Sequence, residues 1–210
     1  MNYSAYRAQM VSVAKSLFDR GYSTGGGGNL SLRLPDNFIL ATPTGSCLGR
    51  LEIDSLSVVS LDGELISGKK ASKEVEFHLS LYRANTGCNA VVHLHSTYMT
   101  ALSCLDTIDE DQAIKPFTPY YVMRIGNLPV VDYYPPGSPQ IAEALEKLAP
   151  IYRAFLLRNH GPVVTGKDLY DAADNSEELE ETAKLMFILQ NFNVRYLSTE
   201  EITDLIGKKK

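Results

Sequence analysis

The sequence predicts an α/β protein in which one mixed or antiparallel sheet is flanked by helices. Three observations predict it. Stretches with apolar residues at three- and four-residue intervals alternate with short alternating or continuous apolar runs, the helical and strand periods. Neighbouring runs are joined by turn residues, as where Asp62-Gly63 separates residues 58–61 from residues 64–66. Hairpins this frequent argue against a doubly wound parallel sheet, whose strands need a crossover between them.

The elements follow in order. Tyr6, Met10, Val13, Ala14 and Leu17 form one apolar stripe over residues 3–20, and Gly21 stops that helix. Residues 24–29 are too glycine-rich for regular structure. Residues 30–34 and 38–41 alternate as strands around a Pro35-Asp36-Asn37 turn. A second helix begins at Ser72, with Val75, Leu79 and Tyr82 on one face and Gly87 beyond its end. Residues 90–95 are a strand, and Ser96 is the N-cap of a helix to Leu105. Residues 106–134, punctuated by Pro116, Pro119 and Pro129, read as less regular. A Pro135-Pro136-Gly137-Ser138 turn leads into a helix over residues 140–148. Strands follow at 154–157 and 163–164, then a long helix capped by Asp168 and reaching Phe192, then a short helix and the basic tail Lys208-Lys209-Lys210. There is no repeat or linker, so residues 1–210 read as a single domain, long enough for a full core.

Composition narrows the function. Hydrophobic residues are 44% and charged residues 21%, the balance of a soluble globular protein. The net charge of -5 gives no nucleic-acid surface. No stretch approaches the ~20 apolar residues of a membrane helix, and the N-terminus lacks a signal-peptide core. Cys47, Cys88 and Cys104 form no CxxC pair and read as free, buried thiols of a reducing compartment, the cytoplasm.

The chain has four histidines. His93 and His95 stand two apart at the end of an apolar run, where a strand would project both from one face. His160 stands where another apolar run breaks into Gly161-Pro162. A single strand-end histidine would be a hydrogen-bonding cap. Three neutral imidazoles with one position left open are a catalytic zinc arrangement, although spacing alone leaves the metal and its chemistry open. The run from Gly25 to Asn29 is either a flexible loop or a nest of N–H groups for an anion. Thr42-Pro43-Thr44-Gly45 adds hydroxyl and amide donors. Glu74, in the first turn of its helix, is a dipole partner or a working carboxylate. His78, one turn on among apolar residues, reads as a core histidine or one lying behind the ligands.

Taken together, GGGGNLS, ATPTG, SKE, VVHLH and LLRNHG resemble, in order and spacing, the class II aldolase/adducin-like family, over roughly residues 3–192. The resemblance implies an α/β/α sandwich with a mostly antiparallel central sheet, and a homotetramer with sites near its interfaces. It implies one Zn(2+) per chain on His93, His95 and His160, with Glu74 as acid/base and as a further ligand when substrate is absent. It implies phosphate binding at Gly28, Asn29, Thr44, Gly45 and Ser72, with Lys73 beside them. Tyr121 or Tyr120 matches a tyrosine that reaches a neighbouring site as proton donor. Lys73 stands where sugar-phosphate aldolases carry serine. HLHST, SCLD, TPYYVMR and EELEETAKL are most similar to the 3-oxo-tetronate 4-phosphate decarboxylases. These release CO2 and dihydroxyacetone phosphate through a metal-stabilised enediolate in the catabolism of four-carbon acid sugars. The alternatives are a sugar-phosphate aldolase or pentulose-phosphate epimerase and, remotely, a non-catalytic adducin-like domain, in which the histidine set would be missing.

Overall fold

The computed structural model describes residues 3–207; the expected basic tail lies outside them. The strands are β1 (Asn29–Arg33), β2 (Ile39–Ala41), β3 (Ser57–Val59), β4 (Leu65–Ser67), β5 (Ala90–His93), β6 (Val130–Val131), β7 (Ala154–Leu157) and β8 (Gly161–Gly166). The helices are α1 (Ser4–Asp19), α2 (Val75–Ala84), α3 (Thr97–Ser103), α4 (Pro119–Arg124), α5 (Pro139–Leu148), α6 (Leu169–Leu189) and α7 (Thr199–Gly207).

The strands form one eight-stranded sheet in the order β4-β3-β2-β1-β5-β8-β7-β6. Every neighbouring pair is antiparallel except β6–β7. That parallel pair is bridged by α5, as a parallel pair requires a crossover. The sheet is therefore mixed and mostly antiparallel, as the hairpin signals predict.

Side chains alternate between two apolar cores, the consequence of the two-residue strand period. Ala90 and Val92 of β5 join Met10, Ala14 and Leu17 of α1 and Leu169 and Ala172 of α6. Val91 between them joins Phe77 and Leu79 of α2 and Ile141 and Leu145 of α5. Near β7 and β8, Leu156 and Val164 meet α3, α4 and the middle of α6 through Met99, Tyr121 and Leu179. No helix among the described residues is long and apolar enough to cross a membrane.

Four expectations are corrected. The stretch read as less regular holds α4 and β6. Six helical residues are too few to show a period, although Thr118 accepts a hydrogen bond from Tyr121 N and Pro119 takes the first helical position, a start signal in retrospect. The second helix begins at Val75, not Ser72, because residues 72–74 form a turn closed by Val75 N donating to Ser72 O at 3.0 Å. Strand β5 ends at His93, so His95 lies beyond regular pairing. Cys104 is exposed at the C-terminal end of α3, whereas Cys47 and Cys88 are buried.

Candidate active site: three imidazoles and a carboxylate

His93 is the last residue of β5 and fully buried. Its Nδ1–H donates to Pro162 O at 2.8 Å, leaving the Nε2 lone pair free to face the site. His95 follows after the strand ends, and its Nε2 lies 3.1 Å from that of His93. His160 sits in the turn between β7 and β8. Asn159 enters that turn at φ 55, and a Cβ on Gly161 would come within 2.5 Å of Leu94 O, so only glycine lets the turn close onto the residue that follows β5. Asn159 N and His160 N donate to Ser103 O and Oγ at 2.9 and 3.2 Å, tying the turn to the end of α3. His160 Nε2 then also lies 3.1 Å from His95 Nε2.

Nitrogens on a tetrahedral zinc stand about 3.3 Å apart, given bonds of about 2.0–2.1 Å. His95 Nε2 already lies close to that separation from the Nε2 atoms of both His93 and His160, and the donor set fits a divalent metal. Burial lowers the affinity of all three imidazoles for a second proton, most strongly at His93, where His160 and His95 add to the effect. Neutral rings keep their lone pairs for a metal. Glu74 closes the cluster: Oε1 lies 3.4 Å from His160 Nε2 and Oε2 lies 3.6 Å from His93 Nε2. These four side chains are the group of potential ligands found among the described residues, with ligand atoms all within 4.8 Å of one another.

The glycine loop lies against β5. Gly28 has φ 82, and a Cβ there would come within 2.8 Å of His93 O. A bridge between Pro43 and Ala71, with Ser72 N donating to Thr42 O at 3.1 Å, brings the Thr44-Gly45 and Ser72 segments together. The result is one cavity of about 320 Å³. Its lining includes Gly28, Asn29, Thr44, Gly45, Ser72, Lys73, Glu74, His95 and His160, and the buried His93 lies 3.1 Å behind His95, nitrogen to nitrogen. The Lys73 stem rests on Gly137, in the turn before α5. A larger open groove of about 690 Å³, between α1 and β4, holds no such ligand cluster.

The tyrosine pair divides. Tyr121 packs fully buried in the core beneath α4, where burial raises its pKa and its hydroxyl has no hydrogen-bond partner among the described residues. Tyr120 is 62% exposed. Neither lines the cavity of its own chain.

Two contributors escaped sequence reasoning. Ser96 is the N-cap residue of α3 by position, but its side chain does not cap. Glu180 of α6 does so instead, accepting from Tyr98 N, Met99 N and Ser96 Oγ at 2.8, 2.9 and 2.7 Å. Its only sequence signal is a charge on the buried stripe of α6, beside Leu179 and Ala183. The second is the hydrogen bond from Asn29 Nδ2 to Glu74 Oε2, 2.7 Å long between residues 45 apart, for which there is no local signal.

Comparison with known proteins agrees with this geometry. The family model described as the Class II Aldolase and Adducin N-terminal domain matches residues 8–187. The chain is 63% identical over 199 residues to the 3-oxo-tetronate 4-phosphate decarboxylase of Pectobacterium atrosepticum, covering 95% of this chain and 91% of that one. The crystal structure of YgbL from Klebsiella pneumoniae superposes with a TM-score of 0.95 at 58% identity, covering 98% of this chain and 99% of that one. An L-fuculose 1-phosphate aldolase superposes with a TM-score of 0.88 at 27% identity, covering 99% of this chain and 97% of that one. A match over most of the length, with three imidazoles and a carboxylate converging at the cavity, makes this chain a member of the class II aldolase and adducin N-terminal domain family.

Proposed function

We propose that the chain is a metal-dependent carboxy-lyase that converts a 3-oxo-tetronate 4-phosphate to dihydroxyacetone phosphate and CO2. The observation that carries this reading is the single cavity that joins the His93, His95, His160 and Glu74 cluster to amide, hydroxyl and lysine donors, in a chain 63% identical to a decarboxylase of that name. The substrate is a β-keto acid with an anionic end, and the two halves of the cavity suit its two halves.

His93, His95 and His160 would hold one divalent ion per chain, zinc by the three-imidazole donor set, which when bound supplies Lewis-acid polarisation of the substrate ketone. The chain's own residues do the rest. Gly28, Asn29, Thr44, Gly45 and Ser72 offer N–H and hydroxyl donors to the phosphate, and Lys73 adds a cation at that end. Anchoring the phosphate spends remote binding energy on orienting the carboxylate for departure. When CO2 leaves, its bonding electrons remain on C2, and Glu74 delivers the proton that completes the hydroxymethyl group. In an oligomer, Tyr120 is the tyrosine of the pair free to cross an interface, since Tyr121 is committed to its own core. A homotetramer, an α/β/α sandwich and a cytoplasmic location complete the proposal. The apolar cores on the two sides of β5 support the layering.

The deciding experiment supplies D- and L-configured 3-oxo-tetronate 4-phosphates to zinc-loaded protein and follows CO2 together with reduction of dihydroxyacetone phosphate by a coupled dehydrogenase. Equal amounts of both products from one stereoisomer are expected. The likeness to L-fuculose 1-phosphate aldolase favours a second reading. Cleavage of a sugar phosphate to an aldehyde, with no CO2 from either acid, would put an aldolase in place of the lyase.

A further inference from the structure

Behind Glu74 runs a chain of four hydrogen bonds that the proposed reaction does not use. Asn29 Nδ2 lies 2.7 Å from Glu74 Oε2, and Asn29 Oδ1 lies 2.6 Å from His78 Nε2. His78 Nδ1 lies 2.7 Å from Ser31 Oγ, which lies 2.8 Å from the Tyr82 hydroxyl. All five side chains are buried. Two regular elements build the chain. Glu74, His78 and Tyr82 recur every four residues along α2 and its N-cap, so they share one helix face. Asn29 and Ser31 are two apart on β1, so they share one strand face. The same strand pair carries the first imidazole, because Asn29 is paired with His93 across β1 and β5.

The donor inventory fixes the direction of every bond. A carboxylate only accepts, so Asn29 turns its NH2 to Glu74 and its carbonyl oxygen to His78. His78 must then donate from Nε2, which leaves Nδ1 to accept from Ser31 Oγ–H. Ser31 in turn accepts from Tyr82 O–H. Burial keeps His78 neutral, with its pKa pushed down to about 3, and keeps the Tyr82 phenol protonated. Each ring nitrogen of His78 is thereby used once. Turning the amide of Asn29 over would set its carbonyl oxygen against a carboxylate oxygen at the same short distance. Phe77 lies against the imidazole, ring centroids 4.8 Å apart and planes 28° from parallel, and meets His93 edge-on.

We infer that His78 is a positioning residue: acting through Asn29, it fixes which way the amide points and so holds the Glu74 carboxylate toward the three imidazoles. Its function is geometric, since it touches neither the ligand nitrogens nor the cavity. The inference deepens the proposed function, resting on proton transfer by Glu74. It differs from an ordinary buried histidine in one consequence: removing the Nε2–H donor must change turnover more than substrate binding.

The test uses zinc-loaded protein and the variants His78→Phe and His78→Gln. Phenylalanine fills the ring's space without donors, whereas glutamine keeps a neutral N–H within reach of Asn29. For His78→Phe, kcat should fall about 10–100-fold, the usual effect of disturbing a partner behind the ligands. KM should stay within about threefold, because Gly28, Thr44, Gly45, Ser72 and Lys73 still line the phosphate end of the cavity. His78→Gln should recover most of the lost kcat at equal zinc content. A kcat for His78→Phe equal to the parent's, or a glutamine variant as slow as the phenylalanine one, would overturn the inference. A second readout needs no turnover. Nitrogen-15 spectra of metal-free parent protein should show His78 as the Nε2–H tautomer, with the Asn29 side-chain amide signals displaced in His78→Phe, or in Ser31→Ala if the former does not fold. An Nδ1–H tautomer, or unmoved Asn29 signals, refutes the positioning role. Should the parent protein neither release CO2 nor cleave a sugar phosphate, the functional reading falls, and the tautomer and amide signals still decide this inference.

Discussion

Glu74 is the residue on which the chemistry turns, and it is held from two sides. His160 and His93 face its two oxygens, and Asn29 donates to one of them. Replacing it by glutamine keeps the shape and removes the acid/base function. For Glu74→Gln, kcat should fall roughly 10²–10⁴-fold with KM little changed, the usual contribution of general acid–base catalysis. Steady-state kinetics at matched zinc content checks this, and near-parental turnover would move proton transfer to another group. The pair His93 and His95 was legible because the two stand close in sequence after an apolar run, although β5 ends at His93 and the strand period does not extend to His95. The approach of His160 was legible only as a second strand end, since 65 residues separate it from His95. Tyr121 was misleading for the opposite reason: position along a motif says nothing about burial, and packing beneath α4 withdraws its ring into the core.

At the scale of elements, α3 carries a debt to α6. It begins directly after His95, and its first amides are satisfied by Glu180 rather than by its own N-cap serine. The carboxylate also complements the positive end of the helix. Glu180→Ala should destabilise the fold by about 2–4 kcal/mol, combining a lost cap with charge-assisted hydrogen bonds in a buried setting. Urea unfolding measures that loss. Zinc affinity should weaken as well, because the end of α3 also holds the His160 turn through Ser103. A variant as stable as the parent would show that Ser96 or water replaces the cap at no cost. The long helices and the hairpins were legible because their periods repeat. Helix α4 and strand β6 were not, because six and two residues give no period to read. Nor was the Glu180 cap, which is set by how α6 crosses α3 and not by any neighbour in sequence.

For the whole molecule, the buried imidazoles make stability depend on pH. The pKa of His78 is lowered to about 3 in the fold, against 6.5 for an ordinary histidine. The unfolded chain therefore binds a proton that the folded one refuses. This contribution is fully present above the unfolded pKa and is lost as pH falls from about 6.5 toward about 3, at up to about 1.4 kcal/mol per pH unit for one such group. His93, His95 and His160, shifted the same way, act in the same sense. Metal-free protein should thus show a lower urea midpoint near pH 5 than near pH 7. An unchanged midpoint would mean that these rings are protonated within the fold. The order of the sheet has a kinetic counterpart. Strand β5 lies inside, between β1 and β8, while β4 forms an edge whose three residues are all exposed. Amides of the inner strands exchange with solvent deuterium only when the entire fold opens, whereas edge amides exchange by local fraying. Native-state hydrogen exchange should accordingly find Val92 and His93 among the slowest amides and the β4 amides among the fastest. The ligand-bearing strand then belongs to the last cooperative unit to open, so partial unfolding at the rim leaves the metal cage closed.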